Sequence, residues 1–342
     1  MALCQSICPR EVPILDVQLS SVGNTEIRAT VTNFANSSFS LLTLNSLLSS
    51  DPIRKVYVRV VNTEIPFEGI SLQISTTNFP PDVFTYIGAG QTIESTFDLT
   101  ESFDMSASGE YMVLSSAQFI YAAANQTTTL GVEPYRSNTL LAQVDGDTAK
   151  NSPRSFMNRL NRRTQIQNAE SCTKEKHAKL EKALQACSRL ALSSSIGAQH
   201  GSLSRFKKFF NSKNSTTRTE VAHRYLAISD ECDSKSPKIK LYCQDDPNFC
   251  SSNALSYSEK RLNAIVTCPG FYDAPLQPPR GCKTTTLDVA TSLIHDFSHF
   301  AEVYDPPTRD LNFGPGGRTS LRKSEAVSNA AAYQGYIKAV LS

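Results

Sequence analysis

The sequence lacks both a long apolar run and a strong net charge, and each absence excludes a class of protein. No stretch of eighteen consecutive apolar residues occurs in the 342 residues, so no transmembrane helix is expected. The formal net charge is +2 at pH 7 and no long basic or acidic block is present, which argues against a nucleic-acid or acidic-lipid partner. Hydrophobic residues make up 40% of the chain, enough for ordinary globular cores, and the length suits two domains.

A recognisable secretory leader is also missing. The N-terminal stretch MALCQSICPREVPILDV has an apolar segment too short for a signal peptide, and Pro9, Arg10 and Glu11 interrupt it. Other features indicate an extracellular protein, so we expect the start of the gene product to be missing from this sequence or mis-assigned.

Cysteine is scarce in the first 163 residues and crowded after them, since only Cys4 and Cys8 occur early. The later seven are Cys172, Cys187, Cys232, Cys243, Cys250, Cys268 and Cys282. Such density indicates a disulfide framework formed in an oxidising compartment. Sequons for N-glycosylation at Asn36, Asn125 and Asn214 agree with this. We therefore predict a secreted, disulfide-bonded glycoprotein.

The first part of the chain, residues 1–145, contains no histidine and no cluster of catalytic residue types. Its segments LDVQL (15–19), EIRATVTN (26–33) and RKVYVRVVN (54–62) alternate apolar and polar residues, and turn residues separate them. Short strands of period two with regular turns predict an antiparallel β-sandwich.

Residues 146–163, GDTAKNSPRSFMNRLNRR, are polar and basic, and they carry no sustained apolar period. We interpret them as a linker. Arg162 and Arg163, with Arg159 upstream, suit a protease that cuts after paired basic residues. The alternative is a solvated basic stretch without a processing role. Cleavage is favoured because these residues lie at the boundary between the cysteine-poor and the cysteine-rich parts of the chain.

The second part, residues 164–342, has a helical pattern. KLEKALQACSRLAL (179–192) spaces apolar residues at three and four positions, and STTRTEVAHRYLAI (215–228) is similar. Glycine, proline and cysteine then dominate 236–282, which predicts loops and short strands pinned by disulfides. Helices are predicted at about 286–303 and 324–340.

Two histidines lie four residues apart in LIHDFSHF (293–300), within the predicted helix 286–303. At 100° per residue, His295 and His299 are about 40° apart on one side of the helix. An apolar stripe occupies the other side, formed by Ala290, Leu293, Phe297 and Phe300. Paired imidazoles on one helix face are what a two-histidine metal site requires, although most such pairs are simply exposed histidines.

The residues after the pair favour the metal site. Pro306 and Pro307 are predicted to end the helix, and a returning loop then supplies Asp310 eleven residues after His299. Three protein ligands with an open fourth position are typical of catalytic zinc.

At this point the second part resembles the deuterolysin, or neutral protease 2, family of fungal zinc metalloendopeptidases in the aspzincin group. That family pairs His-Glu-x-x-His with Gly-Thr-x-Asp-x-x-Tyr-Gly downstream. Here PTRDLNFG (307–314) aligns without a gap, with Thr308, Asp310 and Gly314 matching. The stretch YCQDDPNFCSSNALSY (242–257) and the preceding half are also similar, so the resemblance covers nearly the whole chain from about residue 13.

The resemblance implies one Zn²⁺ per chain, held by His295, His299 and Asp310. It implies a β-rich propeptide of residues 1–145, removed by a cut after Arg163, and a mainly α (α+β) zincin-like, disulfide-bonded metallopeptidase domain over 164–342. The resemblance also implies protein or peptide substrates, with a preference for basic proteins such as histones and protamines. A monomer is expected after the propeptide is removed.

The resemblance also implies disulfides. The expected pairs are Cys172–Cys243 and Cys250–Cys268, and we predict that the two remaining helical cysteines form Cys187–Cys232. In the family, Cys282 has a partner at the extreme C-terminus, which this sequence lacks. We therefore expect Cys282 to be free or intermolecular and the C-terminus to be truncated.

Three positions depart from the family pattern. The catalytic glutamate is replaced by Asp296, which retains the general-base chemistry but draws the carboxylate back by up to about 1.5 Å. A misplacement of about 1 Å can cost on the order of 10²-fold in rate. The motif tyrosine is Phe313, which cannot donate to an oxyanion, and losing one such donor costs roughly 10²–10³. The motif glycine is Pro307.

The main prediction is a secreted zinc endopeptidase made as a zymogen, with Asp296 as general base and a water or Tyr304 supplying the missing donor. The alternative is a weakened or inactive relative that binds zinc and peptides or host proteins without cleaving them. A third reading, an adhesive β-sandwich with an incidental helical tail, leaves the spacing of His295, His299 and Asp310 unexplained.

Overall fold

The computed structural model describes residues 13–74, 79–152, 172–245, 248–250, 254–276, 288–311 and 321–341. Thirteen strands lie in these residues. They are β1 (Leu15–Ser21), β2 (Glu26–Asn33), β3 (Phe39–Leu42), β4 (Tyr57–Val60), β5 (Thr63–Glu64), β6 (Ser71–Ile74), β7 (Phe84–Ile87), β8 (Thr92–Asp98), β9 (Gly109–Ala123), β10 (Thr129–Val144), β11 (Lys240–Tyr242), β12 (Ala254–Glu259) and β13 (Ala264–Thr267).

Two antiparallel sheets form most of the first half. One has the order β1-β2-β8, and the other has the order β5-β4-β9-β3-β7 with β10 paired to β9. The predicted alternation is confirmed, because Val17, Val31 and Val58 are buried while their strand neighbours point outward. These residues pack into one apolar core shared by both sheets, as expected of a sandwich.

Strand β6 does not belong to either of those sheets. It pairs with β12 of the second half and completes a four-stranded sheet with the order β11-β13-β12-β6. A separate apolar cluster follows this pairing and contains Leu72 and Ile74 from the first half with Tyr257 and Val266 from the second. The strands of residues 1–145 therefore do not all lie within one sandwich.

The described helices are α1 (Gly146–Lys150), α2 (Lys174–His200), α3 (Leu203–Phe210), α4 (Ser215–Cys232), α5 (Pro269–Asp273), α6 (Val289–Phe297), α7 (Lys323–Val327) and α8 (Ala330–Leu341). In the second half, α2 packs on α4, α6 and α8 around a core of aliphatic and aromatic side chains. The chain is thus a mixed α+β protein. No helix in the described ranges is long and apolar enough to span a bilayer.

Three expected boundaries are corrected. The first residues of the predicted linker form α1, because Asp145 caps it by accepting from Thr148 N at 2.8 Å. Among the described residues of the predicted helix 286–303, only Val289–Phe297 are helical. The predicted helix 324–340 is two helices, because the backbone at Ser328 and Ala330 is bonded to Arg309 instead of continuing the helix.

Candidate metal and catalytic site

Helix α6 carries the first histidine and is buried along its whole length. It starts where Asp288 accepts from Thr291 N at 2.9 Å, a side-chain cap of the helix N-terminus. It ends early because Ser298 Oγ donates to the His295 carbonyl at 2.6 Å and Thr308 N donates to the Ser298 carbonyl at 2.8 Å. Those bonds satisfy groups that another helical turn would use.

His299 therefore lies two residues beyond the end of the helix at Phe297, in a tight turn, and not on the helix as predicted. The two rings nevertheless lie together, with centroids 4.8 Å apart and planes at 79°. The apolar side of the predicted pattern is confirmed, since Leu293, Phe297 and Phe300 are all buried in the core of the second half.

The turn after the histidines is anchored at two places before it reaches Asp310. Buried Arg224 donates from Nη1 to the Pro306 carbonyl at 2.7 Å, and its guanidinium lies over the Tyr304 ring at 4.6 Å. The backbone of Arg309 then bonds to Ser328, which follows α7, and to Ala330, the first residue of α8. Both ends of the turn are thereby held against the helical core.

Asp310 meets both histidines. Its Oδ1 lies 2.9 Å from His295 Nε2, and its Oδ2 lies 3.2 Å from His299 Nε2. All three side chains are almost fully buried, at 1%, 0% and 9% exposure for His295, His299 and Asp310. His295 Nε2, His299 Nε2 and Asp310 Oδ1 nevertheless lack a hydrogen bond of acceptable geometry in the part of the chain that the structure describes.

Buried polar atoms that converge without bonding one another fit a bound cation. Two imidazole nitrogens and a carboxylate oxygen lie within 4.8 Å of one another, and this donor set suits zinc. His299 Nδ1 faces the Thr308 carbonyl at 3.2 Å, which favours a proton on Nδ1 and leaves the Nε2 lone pair free for a metal. These three residues could therefore hold a metal ion.

The protonation states agree with that use. Burial lowers the pKa of His299, which favours the neutral ring. Burial by itself would raise the pKa of Asp310, but the two histidines outweigh it and hold that pKa well below its ordinary value. A neutral imidazole and an ionised carboxylate are the forms that bind metal.

Asp296 lies beside the triad, on α6, and is fully buried. Its Oδ2 accepts a hydrogen bond from Ser256 Oγ on β12 at 2.5 Å, while Oδ1 lacks a partner among the described residues. Burial raises the pKa of Asp296 to about 7; His295 and the Ser256 bond act in the opposite direction. A carboxyl group with this pKa can take up and release a proton near neutral pH.

Residues of the first half cover this site. Glu64 accepts from Arg54 Nη1 at 3.3 Å and from Arg309 Nη1 at 3.1 Å, directly beside Asp310. A cavity of about 20 Å³ remains between the halves, room for about one water molecule and not for a peptide. It is lined by Asn45, Ile53, Arg54, Phe67, Ile70, Ser71, Lys260, Arg309 and Asp310. A larger cavity of about 740 Å³ lies between the first half, around Asp98, and the start of the predicted linker at α1, and no predicted site residue lines it.

Other predicted features have mixed positions. The structure contains all three predicted disulfides, namely Cys172–Cys243, Cys187–Cys232 and Cys250–Cys268. Asn36, Asn125 and Asn214 are exposed, so each is accessible to a glycan, and glycosylation stays a prediction. The predicted processing site at Arg162 and Arg163, the motif residue Phe313 and the unpaired Cys282 lie outside the described residues.

Sequence reasoning missed two residues that shape the site. Arg224 falls at helical spacing with Val221, Tyr225 and Ile228, so an arginine within an apolar stripe was the available signal. Ser256 had no such signal, because its bond to Asp296 joins residues forty positions apart.

Three side chains that could hold a metal ion, beside a buried carboxylate, are an arrangement that fits a metalloprotease. A sequence profile of the deuterolysin metalloprotease (M35) family matches residues 1–342, and the chain belongs to that family. The resemblance inferred from the motifs is therefore confirmed.

Three relatives illustrate the similarity. The neutral protease 2 of Aspergillus oryzae is 32% identical over 329 residues, covering 96% of this chain and 91% of the relative. A neutral protease 2 homolog of Aspergillus terreus is 34% identical over 331 residues, covering 96% and 92%. One from Botryotinia fuckeliana is 32% identical over 336 residues, covering 98% and 94%.

Proposed function

We propose that this chain is a secreted, zinc-dependent endopeptidase made as a zymogen. The observation that carries the proposal is the convergence of His295, His299 and Asp310, whose buried donor atoms have no other use in the described structure. When bound there, zinc would supply a Lewis acid that polarises a peptide carbonyl and makes water nucleophilic near neutral pH. The three disulfides and the exposed sequons support secretion.

Asp296 is the general base in this proposal. Its unpaired Oδ1 would accept a proton from the attacking water and later return it to the leaving amine, while Ser256 holds Oδ2. A pKa raised to about 7 by burial supports this exchange. Because aspartate is one methylene shorter than the glutamate of the family pattern and Phe313 lacks a hydroxyl, we expect slow turnover.

The first half supports the zymogen part of the proposal. Strand β6 covers the outer edge of β12, and Glu64 pairs with Arg309 next to Asp310. A substrate cannot reach the triad through a cavity of about 20 Å³. Activation would therefore require a cut in the linker, for which Arg162 and Arg163 are the predicted site, followed by departure of the first half.

The test uses the full chain carrying a specific protease recognition sequence in place of the basic residues 162–163. The zinc-loaded chain is assayed on casein before and after the linker is cut, with and without a chelator. His299→Ala is the site variant, and His223→Ala is the matched control because His223 is exposed on α4. We expect one zinc per chain, activity only after the cut, and loss of both zinc and activity in His299→Ala alone.

The alternative function makes a different prediction in the same assay. A relative that binds zinc and peptides without cleaving them would take up one zinc, lose it in His299→Ala, and leave casein intact after the cut. The altered positions Asp296 and Phe313 favour this alternative. The inclination toward histones and protamines stays a prediction that the resemblance alone supports.

A further inference from the structure

Asp310, the third candidate ligand, lies in neither a helix nor a strand, so its position depends on the contacts of its neighbours. Those contacts lead to the junction between α7 and α8, which is formed by Ser328 and Asn329. Arg309 N donates to the Ser328 carbonyl at 2.7 Å, and Ala330 N donates to the Arg309 carbonyl at 3.0 Å. The residue before the ligand is therefore fixed at both its N–H and its carbonyl, opposite Asn329.

The side chain of Asn329 extends this contact to the residue after the ligand. Leu311 N donates to Asn329 Oδ1 at 3.4 Å. Asn329 is fully buried, and within the described ranges its side chain makes no other hydrogen bond, since Nδ2 lacks a partner there. Burying an amide costs free energy when its polar groups stay unbonded. The described use of this buried amide is therefore to hold the residue next to Asp310.

The junction is itself held by α4. Tyr333 Oη donates to the Val327 carbonyl at the end of α7 at 2.9 Å, and Tyr225 Oη on α4 donates to the Tyr333 carbonyl at 2.7 Å. All three residues are buried. The neighbour of Tyr225 on α4 is Arg224, which anchors the turn that precedes the ligand. Helix α4 thus fixes both the turn and the junction, and the ligand lies between them.

The first half contacts the same segment from the other side. Arg309 Nη1 lies 3.1 Å from Glu64 Oε1 of the first half. If the first half departs after the linker is cut, this contact is lost, whereas the bonds to the junction stay within the second half. The junction would then keep Asp310 beside His295 and His299.

We propose that Asn329 is a positioning residue of the metal site: it holds Asp310 where the carboxylate meets both histidines, so that the junction between α7 and α8 helps to set the affinity for the metal. This rests on the proposed zinc-dependent function and assigns a role to a residue that is not itself a ligand. A ligand that is held in place beforehand does not have to be ordered when the metal binds. Removing a group that orients a ligand typically weakens metal binding by about 10- to 100-fold.

The experiment measures metal binding by the full, uncut chain and does not depend on turnover. Zinc affinity is measured by competition with a chelating dye, and Co²⁺ is the spectroscopic probe because its visible absorption depends on the arrangement of its ligands. The variants are Asn329→Ala and Asn329→Ser. Serine leaves a smaller cavity, so it decides the question if the alanine variant does not fold.

The matched control is Asn33→Ala, in the first half. Asn33 is also fully buried, and its Nδ2 donates to the carbonyls of Ser37 and Gly88 at 2.8 and 3.1 Å. It does not contact the candidate ligands, so it reports what the loss of a buried asparagine does to stability alone. Urea unfolding of each metal-free chain gives that stability.

We expect both Asn329 variants to bind zinc about tenfold more weakly than the parent and to change the Co²⁺ absorption bands. Asn33→Ala should lower the urea midpoint, because it leaves buried carbonyls without their donor, but its zinc affinity and Co²⁺ spectrum should equal those of the parent.

Zinc affinity and a Co²⁺ spectrum equal to those of the parent in both Asn329 variants would overturn the proposal, because the residue would then serve the fold alone. An equal loss of zinc affinity in Asn33→Ala would also overturn it, since affinity would then follow stability. Failure of the proposed function is a separate result: the parent itself would bind no zinc. If the parent binds zinc and every variant matches it, only the role of Asn329 is wrong.

Discussion

The contact between Ser256 and Asp296 leads to the sharpest prediction about this site. The two oxygens are 2.5 Å apart, and both residues are fully buried. Asp296→Glu would add one methylene, about 1.5 Å of chain, directed into a contact that has no spare space. Ser256→Ala removes the oxygen that occupies this space. The structure therefore predicts that glutamate is tolerated only when the serine is also removed.

The magnitudes follow from the burial. Asp296→Glu alone should destabilise the fold by about 1–3 kcal/mol through overpacking, without a gain in activity. Ser256→Ala alone leaves a buried carboxylate oxygen without its donor and should also cost about 1–3 kcal/mol. The double variant should recover part of the two losses, a coupling of about 0.5–3 kcal/mol. Because its carboxylate then has the room that Asp296→Glu alone lacks, the double variant should exceed that single variant by up to about 10²-fold in kcat/KM.

The assay compares the four proteins, zinc-loaded and with the linker cut, by denaturant unfolding and by initial rates on casein. Additive effects in the cycle would refute the reasoning, because they would mean that the serine does not restrict the longer side chain. So would an Asp296→Glu single variant that is as stable and as active as the double variant.

Three further predictions concern other parts of the second half. Replacing Cys187 and Cys232 with alanine opens a loop of 45 residues and should lower the free energy of unfolding by about 2–4 kcal/mol, measured in urea; no change would mean that the bond does not form. Arg224→Lys should weaken zinc binding about tenfold, because it loosens the turn at Pro306. The exposed control Arg205→Lys should leave zinc binding unchanged. Both affinities are measured by competition with a chelating dye. Burial raises the pKa of Glu259 above its ordinary 4.5, so the folded chain holds a proton there that the unfolded chain has lost, and this contribution to stability falls as pH rises from 4.5 through the folded pKa. Unfolding measured across that range should show a shallower decline for Glu259→Gln, and parallel curves would contradict this.

Local patterns in the sequence were sufficient for much of the architecture. The period-two segments around Val17, Val31 and Val58 form strands with these valines facing the core. Alternation predicts this because it places all apolar side chains of a strand on one face. The same holds for the stripe of Leu180, Cys187 and Leu190 along α2. The spacing of the histidines and Asp310 also brought the predicted ligands together, since few turns can connect them over eleven residues.

Contacts between distant segments decided the rest. The helix that carries His295 ends at Phe297 because Thr308 N, ten residues after Ser298, donates to the Ser298 carbonyl. A longer helix would use that carbonyl for its own hydrogen bond. Strand β6 pairs with β12 and not with the first-half sheets, because it satisfies the backbone groups at the edge of β12 and packs into an apolar cluster there. No local period encodes such choices, since they depend on which buried groups remain unsatisfied after the neighbouring elements have packed. The sequence therefore predicted several first-half strands, the long helices of the second half and the candidate ligands, whereas the tertiary structure decided where α6 ends, what covers the site and which charges flank it.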